Sequence, residues 1–238
     1  MEPIYLYDDN IGCVEYVQHM GSDLTVVNSA RVSFGKHKQE LDIKDKKLIK
    51  YLISHKHTST LEHCTVTFRF TVPLFVRSQH HRHRTWSYNE ISRRYTDQNI
   101  KFYQPNTFRT QHKSNRQASN FNQLINPLIK TKHPESSVPS KTPCSDLVRI
   151  HNDTSLKLFD DLLDAGVCRE QARGVLPQNL YTEYYGTCNL NNLFKFIHLR
   201  THQGAQWEIQ QVANACHDIA LQIWPITTKF LKETQNEN

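Results

Sequence analysis

Residues 63–72 constrain the fold more tightly than any other stretch of this chain. Cys64, Val66, Phe68, Phe70 and Val72 alternate there with Thr65, Thr67, Arg69 and Thr71. A period of two puts one set on each face of a β-strand. Pro73 ends the run and suits the first turn of a following helix, where the missing N–H costs nothing. On that helix Phe75 and Val76 open an apolar stripe, and helical spacing continues the same face through Gln79, Arg82 and His83. The inward face therefore turns polar as it advances, as a helix does when it ends in a pocket. The plainer alternative is a helix that frays into solvent.

Beyond the helix lies the most unusual composition in the chain. Residues 79–95 hold four arginines and three histidines around a single carboxylate, Glu90. Nothing in this stretch reads as core. It reads as a surface for something anionic, planar and rich in acceptors, because the arginine fork matches phosphate and carboxylate oxygens. The whole chain, 238 residues with a net charge of +6, agrees with a polyanionic partner such as a nucleotide, a flavin phosphate, a folate glutamate or nucleic acid.

The remaining segments supply a frame. Residues 1–35 read as a short strand, a polar turn and a small helix leading into Ala30-Arg31-Val32-Ser33-Phe34. Leu48, Ile49, Leu52 and Ile53 give a helix over 44–55, followed by a polar connection at 57–63. Residues 104–145 are rich in Asn, Gln, Ser, Thr, Lys and Pro and predict an exposed excursion with a short helix near 121–129. Leu156, Phe159, Leu162 and Leu163 mark a helix closed by Gly166, and a short helix is expected over 169–175. Residues 181–188 predict a strand, and Asn189 can cap the next helix, whose apolar face is Leu190, Leu193 and Ile197. Arg200 falls on that same face. A buried arginine needs a partner, because an unpaired buried charge is costly; snorkelling at a helix end is the plainer reading. A last long helix starts near 206.

The fold class is therefore α/β (α+β), a mixed sheet flanked by helices in a single domain over 1–238. No apolar run approaches the roughly 20 residues of a membrane span. Met-Glu-Pro-Ile-Tyr lacks the basic and then apolar start of a signal peptide, and the six cysteines contain no Cys-x-x-Cys pair, so a cytoplasmic location is expected. Cys144 follows Pro143 but has no neighbouring histidine to activate it, and is read as a free loop thiol.

Three chemistries compete for 79–95. His80, His81 and His83, with His55 and His57, offer metal ligands. The flanking arginines oppose a cation, though, and no His-Glu-x-x-His spacing occurs, so no metal is expected. Nucleic acid is compatible with the charge and the interleaved Tyr and Trp, but no short nucleic-acid signature appears and none is expected as partner. A nucleotide-handling enzyme is the third. Arg82-His83-Arg84, seven residues and Ser92 form the RHR-x7-S pattern, widened by Tyr88-Asn89-Glu90, Arg94 and Tyr95. In this the chain resembles the flavin-dependent thymidylate synthases. Ala30 to Phe34, His57 to His63, Ala172-Arg173, Leu176-Pro177, Asn179 to Thr182, Leu199-Arg200 and Ala205 to Gln210 resemble that family in the same order, leaving out roughly 104–145.

The resemblance implies FAD-dependent methylation of dUMP to dTMP. Methylenetetrahydrofolate is the carbon donor, NADPH the reductant, and active sites are shared within a homotetramer. By resemblance Arg200 is catalytic, stabilising charge on the pyrimidine. It also implies dUMP contacts at Gln79, His80, His81, Arg82, Glu90, Ile91, Ser92, Arg93, Arg94, Arg173 and Arg200. The implied FAD contacts are His57, Ser59, Arg82, His83, Arg84 and Glu90, with Asn189, Leu190, Asn191 and Lys195 supplied by another subunit. The chain departs from the usual pattern at Asn191, where an arginine is common, at Lys195, where an asparagine is common, and at Gly204, where a histidine is usual. A nucleotide- or RNA-binding relative without turnover is the alternative reading.

Overall fold

The computed structural model describes residues 1–131 and 140–236. In chain order it contains β1 (Ile4–Tyr5), β2 (Cys13–Met20), α1 (Asp23–Arg31), α2 (Ile43–Ser54), β3 (Thr65–Pro73), α3 (Leu74–His80) and β4 (Ser87–Glu90). Then follow β5 (Phe108–Gln111), β6 (Ser119–Ile125), β7 (Leu128–Thr131), β8 (Ser140–Pro143), α4 (Cys144–Asp164) and α5 (Arg169–Ala172). The chain finishes with β9 (Tyr181–Asn189), α6 (Leu190–Thr201), α7 (Trp207–Ile223) and α8 (Pro225–Asn236). Single 3-10 turns occupy Val32–Phe34, Thr58–Leu61 and Arg173–Val175. The class is α/β, as expected. Packing divides the chain into two compact units, one of Met1–Thr71, Ser78–Glu90 and Glu183–Asn238, the other of Val72–Arg77 and Ile91–Thr182.

The first unit is built on a five-stranded sheet in the order β1-β2-β3-β9-β4. β3 lies in the middle, and its alternation is explained by burial: Val66, Phe68, Phe70 and Val72 are all at most 1% exposed. β2 pairs antiparallel with β3 and was not expected, since the sequence reading ran from a strand and turn directly into a helix. Two features hide it. A register shift between Tyr16 and Gln18 breaks the period of two, and only its first residues are buried. β4 was also missed. It is a polar edge strand, Ser-Tyr-Asn-Glu, pairing antiparallel with β9.

Helices of this unit are fixed by buried acids. Asp23, at the start of α1, accepts from the backbone N–H groups of Ile226 at 3.0 Å and Thr227 at 2.9 Å, satisfying orphan donors in the first turn of α8. Asp42 and Asp45 form a reciprocal capping box at the start of α2. Asp45 is fully buried and takes Arg31 at 2.5 Å and Lys38 as well. Arg31 of the family-like segment is thus committed to holding α1 and the chain after it against α2.

The second unit carries α4, α5 and two small antiparallel ribbons, β5-β6 and β7-β8. Phe159, Ala172, Leu176 and Leu180 form its core. The helix expected near 121–129 is replaced by β6 and β7. Asn126-Pro127 interrupts that run, and a proline lacks the N–H a helix needs there. Pro143 is the N-cap residue of α4, so Cys144 begins a helix rather than ending a loop.

Two expectations follow from these contacts. A Cβ added to Gly186 in β9 lies 2.8 Å from the Phe70 ring and 3.3 Å from the Trp86 ring. Gly186→Ala should therefore overpack the sheet and destabilise it by about 1–3 kcal/mol, read as a fall in Tm. Burial pushes the Asp45 carboxyl up, but hydrogen bonds from Lys38, the Asp42 N–H and Arg31 outweigh it and hold the group at about 2, against an ordinary 3.8. A depressed folded value means stability that is full above about 3.8 and lost as pH falls towards 2. Asp45→Asn should be less stable than the parent at neutral pH, with the difference narrowing between these limits in acid-denaturation curves.

Candidate active site

The first unit gathers its own candidate residues around a buried histidine. His80, the last residue of α3, has no exposed surface. Its ring packs on Phe196, Trp86 and Phe70 with centroids 4.5, 4.6 and 4.8 Å away, and its Nδ1 meets the Tyr184 hydroxyl of β9 at 2.8 Å. Burial, and then neighbouring positive charge, pushes its pKa well down, so the ring is neutral. The expectation that nothing in 79–95 is core is corrected here: His80 and Trp86 are both core residues. His80 was placed among the dUMP contacts, yet no part of it reaches the surface, so it supports the site from beneath.

The helix also stops sooner than its sequence pattern suggested. After His80 the chain tightens, with the N–H of Arg82 donating to Gln79 O at 3.3 Å and that of His83 to His80 O at 2.9 Å. The turn lets Trp86 enter the core and Ser87 start β4. Tyr88 of β4 secures it: its hydroxyl lies 3.0 Å from His80 O and 3.1 Å from His83 O, sharing one proton between them. Arg82 and Arg84 are exposed on this turn, and neither guanidinium has a partner among the described residues. His81 packs against Tyr88, with centroids 4.1 Å apart.

Arg200 arrives from the last turn of α6. The predicted inward stripe holds, since Leu190, Leu193 and Ile197 are at most 2% exposed and Arg200 is half-buried. Its Nε donates to His83 Nε2 at 3.1 Å and its Nη2 to Gln79 O at 3.2 Å. Among the described residues it meets no carboxylate. Burial and the Arg200 charge bring the His83 pKa down to about 4, and burial lowers that of Arg200 itself. The imidazole is thus neutral near pH 7 and accepts from the guanidinium. Gln79, His83 and Arg200 are brought together, while Glu90 is half-buried at the end of β4, opposite Tyr184.

The other implied dUMP contacts belong to the second unit. Ser92 Oγ accepts from Arg94 N at 3.3 Å and Nε at 3.4 Å. Arg94 lies over the Tyr95 ring, 5.4 Å from its centroid. Arg93 is turned to Gln98 O at 2.6 Å, while Ile91 is 39% exposed. Arg173 is exposed at the head of its 3-10 turn and donates to Glu170 O at 3.3 Å. The buried neighbours Ala172 and Leu176 hold that turn.

The residues that the resemblance implies for the cofactor lie in three places. Arg82, His83 and Arg84 lie on the turn after α3, His57 and Ser59 at the turn after α2, and 189–195 at the start of α6. Asn191 Nδ2 donates to Glu62 Oε1 at 2.9 Å and the N–H of Leu190 to Cys64 O at 2.8 Å. The Ser59 turn and the start of α6 are therefore tied side by side. Asn189 caps α6 by accepting from Asn192 N at 2.9 Å. Leu190 is fully buried, so its side chain lines nothing, and the amide of buried Asn191 is spent on Glu62. His57, Ser59 and Lys195 remain exposed. Tyr88, Tyr184, Gln206 and Glu208 all shape this region. Tyr88, Gln206 and Glu208 sat inside family-like segments, but nothing in the sequence gave any of the four a role.

Among the described residues no three His, Cys, Asp or Glu side chains group into a metal site, and no helix is long and apolar enough to cross a membrane.

Comparison with known proteins now adds to this geometry. The family profile described as thymidylate synthase complementing protein matches residues 15–226. A flavin-dependent thymidylate synthase of Thermus thermophilus is 39% identical over 222 residues, covering 93% of this chain and 76% of that protein. The chain belongs to this family. A flavin-dependent thymidylate synthase of Thermotoga neapolitana is 40% identical and covers 93% of this chain and 91% of its own. The solved UMP/dUMP methylase PolB from Streptomyces cacaoi, bound with 5-Br dUMP, superposes with a TM-score of 0.78 at 30% identity over 97% of both chains. Membership carries the enzyme class, a flavin-dependent methyltransferase.

The His83 environment gives a direct test. Its imidazole should stay neutral from pH 8 down to about 4 by NMR titration. In Arg200→Gln, where the neighbouring charge is gone, its pKa should rise. An unchanged value would show that Arg200 exerts no field on it.

Proposed function

We propose that this protein methylates dUMP at C5 to give dTMP, with FAD as its flavin, methylenetetrahydrofolate as carbon donor and NADPH as reductant. The observation that carries this reading is the state of Arg200. It is a half-buried guanidinium whose partners are a neutral imidazole and a carbonyl, and its Nη1 has no partner among the described residues. Such a cation is primed for an anionic or acceptor-rich ligand.

Carbon 5 of uracil is a poor nucleophile. It gains electron density when negative charge on N3 and O2 is stabilised, and a fixed cation in a partly dry site does this with little reorganisation. Arg200 takes that role. Glu90 faces the ribose, while Ser92, Arg94 and Arg173 hold the phosphate. Arg82 and Arg84, exposed and unpaired, suit a diphosphate-bearing cofactor, and Ser59, His57 and Lys195 add exposed polar groups. These residues therefore fit FAD. When bound, the flavin supplies the reducing electrons that turn the transferred methylene into a methyl group.

Sharing of active sites within a homotetramer completes the reading. Val32 is 70% and Phe34 78% exposed on their 3-10 turn, and Ile43 is 74% exposed nearby in sequence. Apolar side chains this exposed suit coverage by another copy of the chain. Sedimentation should give a tetramer.

The deciding assay is tritium release from 5-tritiated dUMP with NADPH and methylenetetrahydrofolate. The parent should release tritium and purify yellow. Arg200→Ala should abolish release yet keep its flavin absorbance, because its partner is the pyrimidine. Loss of the flavin in that variant, or near-normal turnover, would overturn the assignment. Binding of dUMP without any release by the parent would leave a nucleotide-binding relative without turnover.

A further inference from the structure

A second concentration of unmatched charge in the first unit lies on α2. Residues 43–57 hold five lysines, no arginine and one acid, Asp45. Asp45 is buried and committed to Arg31 and Lys38. Lys44, Lys46, Lys47 and Lys50 are all exposed, and among the described residues none of them meets a carboxylate. Lys46 and Lys50 are four residues apart, and Lys44, Lys47 and Lys50 follow at intervals of three, so they are neighbours on the helix surface. Like charges at these spacings destabilise a helix, and α2 has no free acid to offset them. Lys50 Nζ lies over the Phe230 ring of α8, 5.7 Å from its centroid, which orients the ammonium without neutralising it.

At the C-terminal end of this face the charge gives way to rings. Tyr51, four residues after Lys47, is 51% exposed, and its ring stacks on His55 with centroids 4.0 Å apart. His55 Nδ1 donates to Tyr51 O at 2.9 Å, which fixes the imidazole. His57 completes the group, its centroid 6.0 Å from Tyr51 and 6.4 Å from His55. Both histidines are exposed, with Lys56 between them in sequence. The surface is thus a ring platform beside a row of ammonium groups. Its complement is a flat aromatic group that carries a chain of anions. A nucleic-acid strand suits rings interleaved with cations, because every phosphate brings its own base. The lack of arginine forks also points away from phosphate. A second copy of the chain fits less well, since the centres of such interfaces are depleted in lysine.

We propose that this face of α2 binds the oligo-γ-glutamyl tail of the folate donor, with the p-aminobenzoyl ring on Tyr51 and His55 and successive carboxylates on Lys50, Lys47, Lys46 and Lys44. The inference rests on the proposed use of methylenetetrahydrofolate. That reading puts His57 beside the flavin, so a folate delivering its methylene there leaves its tail at the adjoining rings. The spacing agrees. One helical turn advances about 5.4 Å. A γ-linked glutamate is two backbone atoms longer than an α-linked residue of roughly 3.3–3.6 Å, so its free carboxylate recurs about once per turn. The lysine row offers a cation at that interval.

Calorimetry with the tail alone tests this. p-Aminobenzoyl-penta-γ-glutamate and p-aminobenzoyl-glutamate are titrated into the flavin-loaded full chain. The pentaglutamate should bind about tenfold more tightly, because exposed ion pairs are individually weak and several together reach that factor. Added salt should shrink the preference. A variant combining Lys46→Gln, Lys47→Gln and Lys50→Gln should lose it while keeping the parent's circular dichroism, and its Tm should not fall, since like-charge repulsion is removed. Should that variant fail to fold, Lys47→Gln alone should lose part of the preference. Tyr51→Ala should weaken both ligands alike and keep their ratio. Equal binding of the two ligands by the parent, or an unreduced preference in the folded lysine variants, overturns the proposal. So does displacement of the pentaglutamate by a lower concentration of a single-stranded oligonucleotide of equal charge, the mark of a nucleic-acid track. Tritium release from 5-tritiated dUMP by the same preparation separates the two readings. Release together with equal tail binding overturns the tail site alone, whereas a parent that releases none overturns the underlying reading.

Discussion

The arrangement of the first unit's candidate residues depends on one buried contact, the 2.8 Å hydrogen bond between His80 and Tyr184. It joins the end of α3 to the strand beside it in a setting of aromatic rings. A polar pair in such surroundings is worth keeping because breaking it leaves a desolvated group unsatisfied. Every exposed residue of the following turn takes its position from this anchor. The chain cannot leave His80 except through the tight turn, and Tyr88 ties that turn back by its two carbonyls. The anchor is also why a stretch so rich in charge has a defined shape. Arg82 and Arg84 on an untethered loop would repel one another and wander.

The acids of the first unit show a consistent allocation. Asp23 satisfies the start of α8, Asp45 neutralises Arg31 and Lys38, and Glu208 orients Gln206. Each is at most 5% exposed. None is set against Arg200. Positive charge is therefore matched where the fold needs neutral joints and left without an acid at Arg200.

How much of this was legible depends on what burial imposes on a sequence. β3 could be read because it lies inside the sheet with one face fully dry, so its alternation is clean. α6 could be read from Asn189 through Ile197 because cap and stripe are local patterns. β2 and β4 could not. A bulge breaks the period of the first, and the second is a polar edge whose identity comes from pairing with β9. The β6–β7 segment reads as helical until Asn126-Pro127 is given its full weight. His80 was the largest misreading. Histidine flanked by charge looks like surface, and only the approach of Phe70, Trp86 and Phe196 from distant segments makes it core. Motif residues announce themselves in sequence, but their supports act through tertiary contacts. Tyr88 inside the motif was noticed without its function, and Gln206 and Glu208 likewise.

The pairing of Arg200 with His83, rather than with an acid, is the arrangement the proposed chemistry needs. A carboxylate in that place would hold the guanidinium just as firmly, but its charge would cancel the field and compete with an anionic pyrimidine. A lysine or a protonated histidine would repel Arg200. A neutral imidazole avoids both. It accepts one N–H, fixes the plane of the fork and adds no charge of its own. Burial is what keeps it neutral, and Arg200 itself reinforces that state, so the pair is self-consistent at neutral pH. On acidification towards about 4 the imidazole must take up a proton and lose its capacity to accept. The guanidinium then loses the contact that orients it. The role proposed for Arg200 thus needs a neighbour that stays uncharged, and the low pKa of His83 is how the fold supplies one.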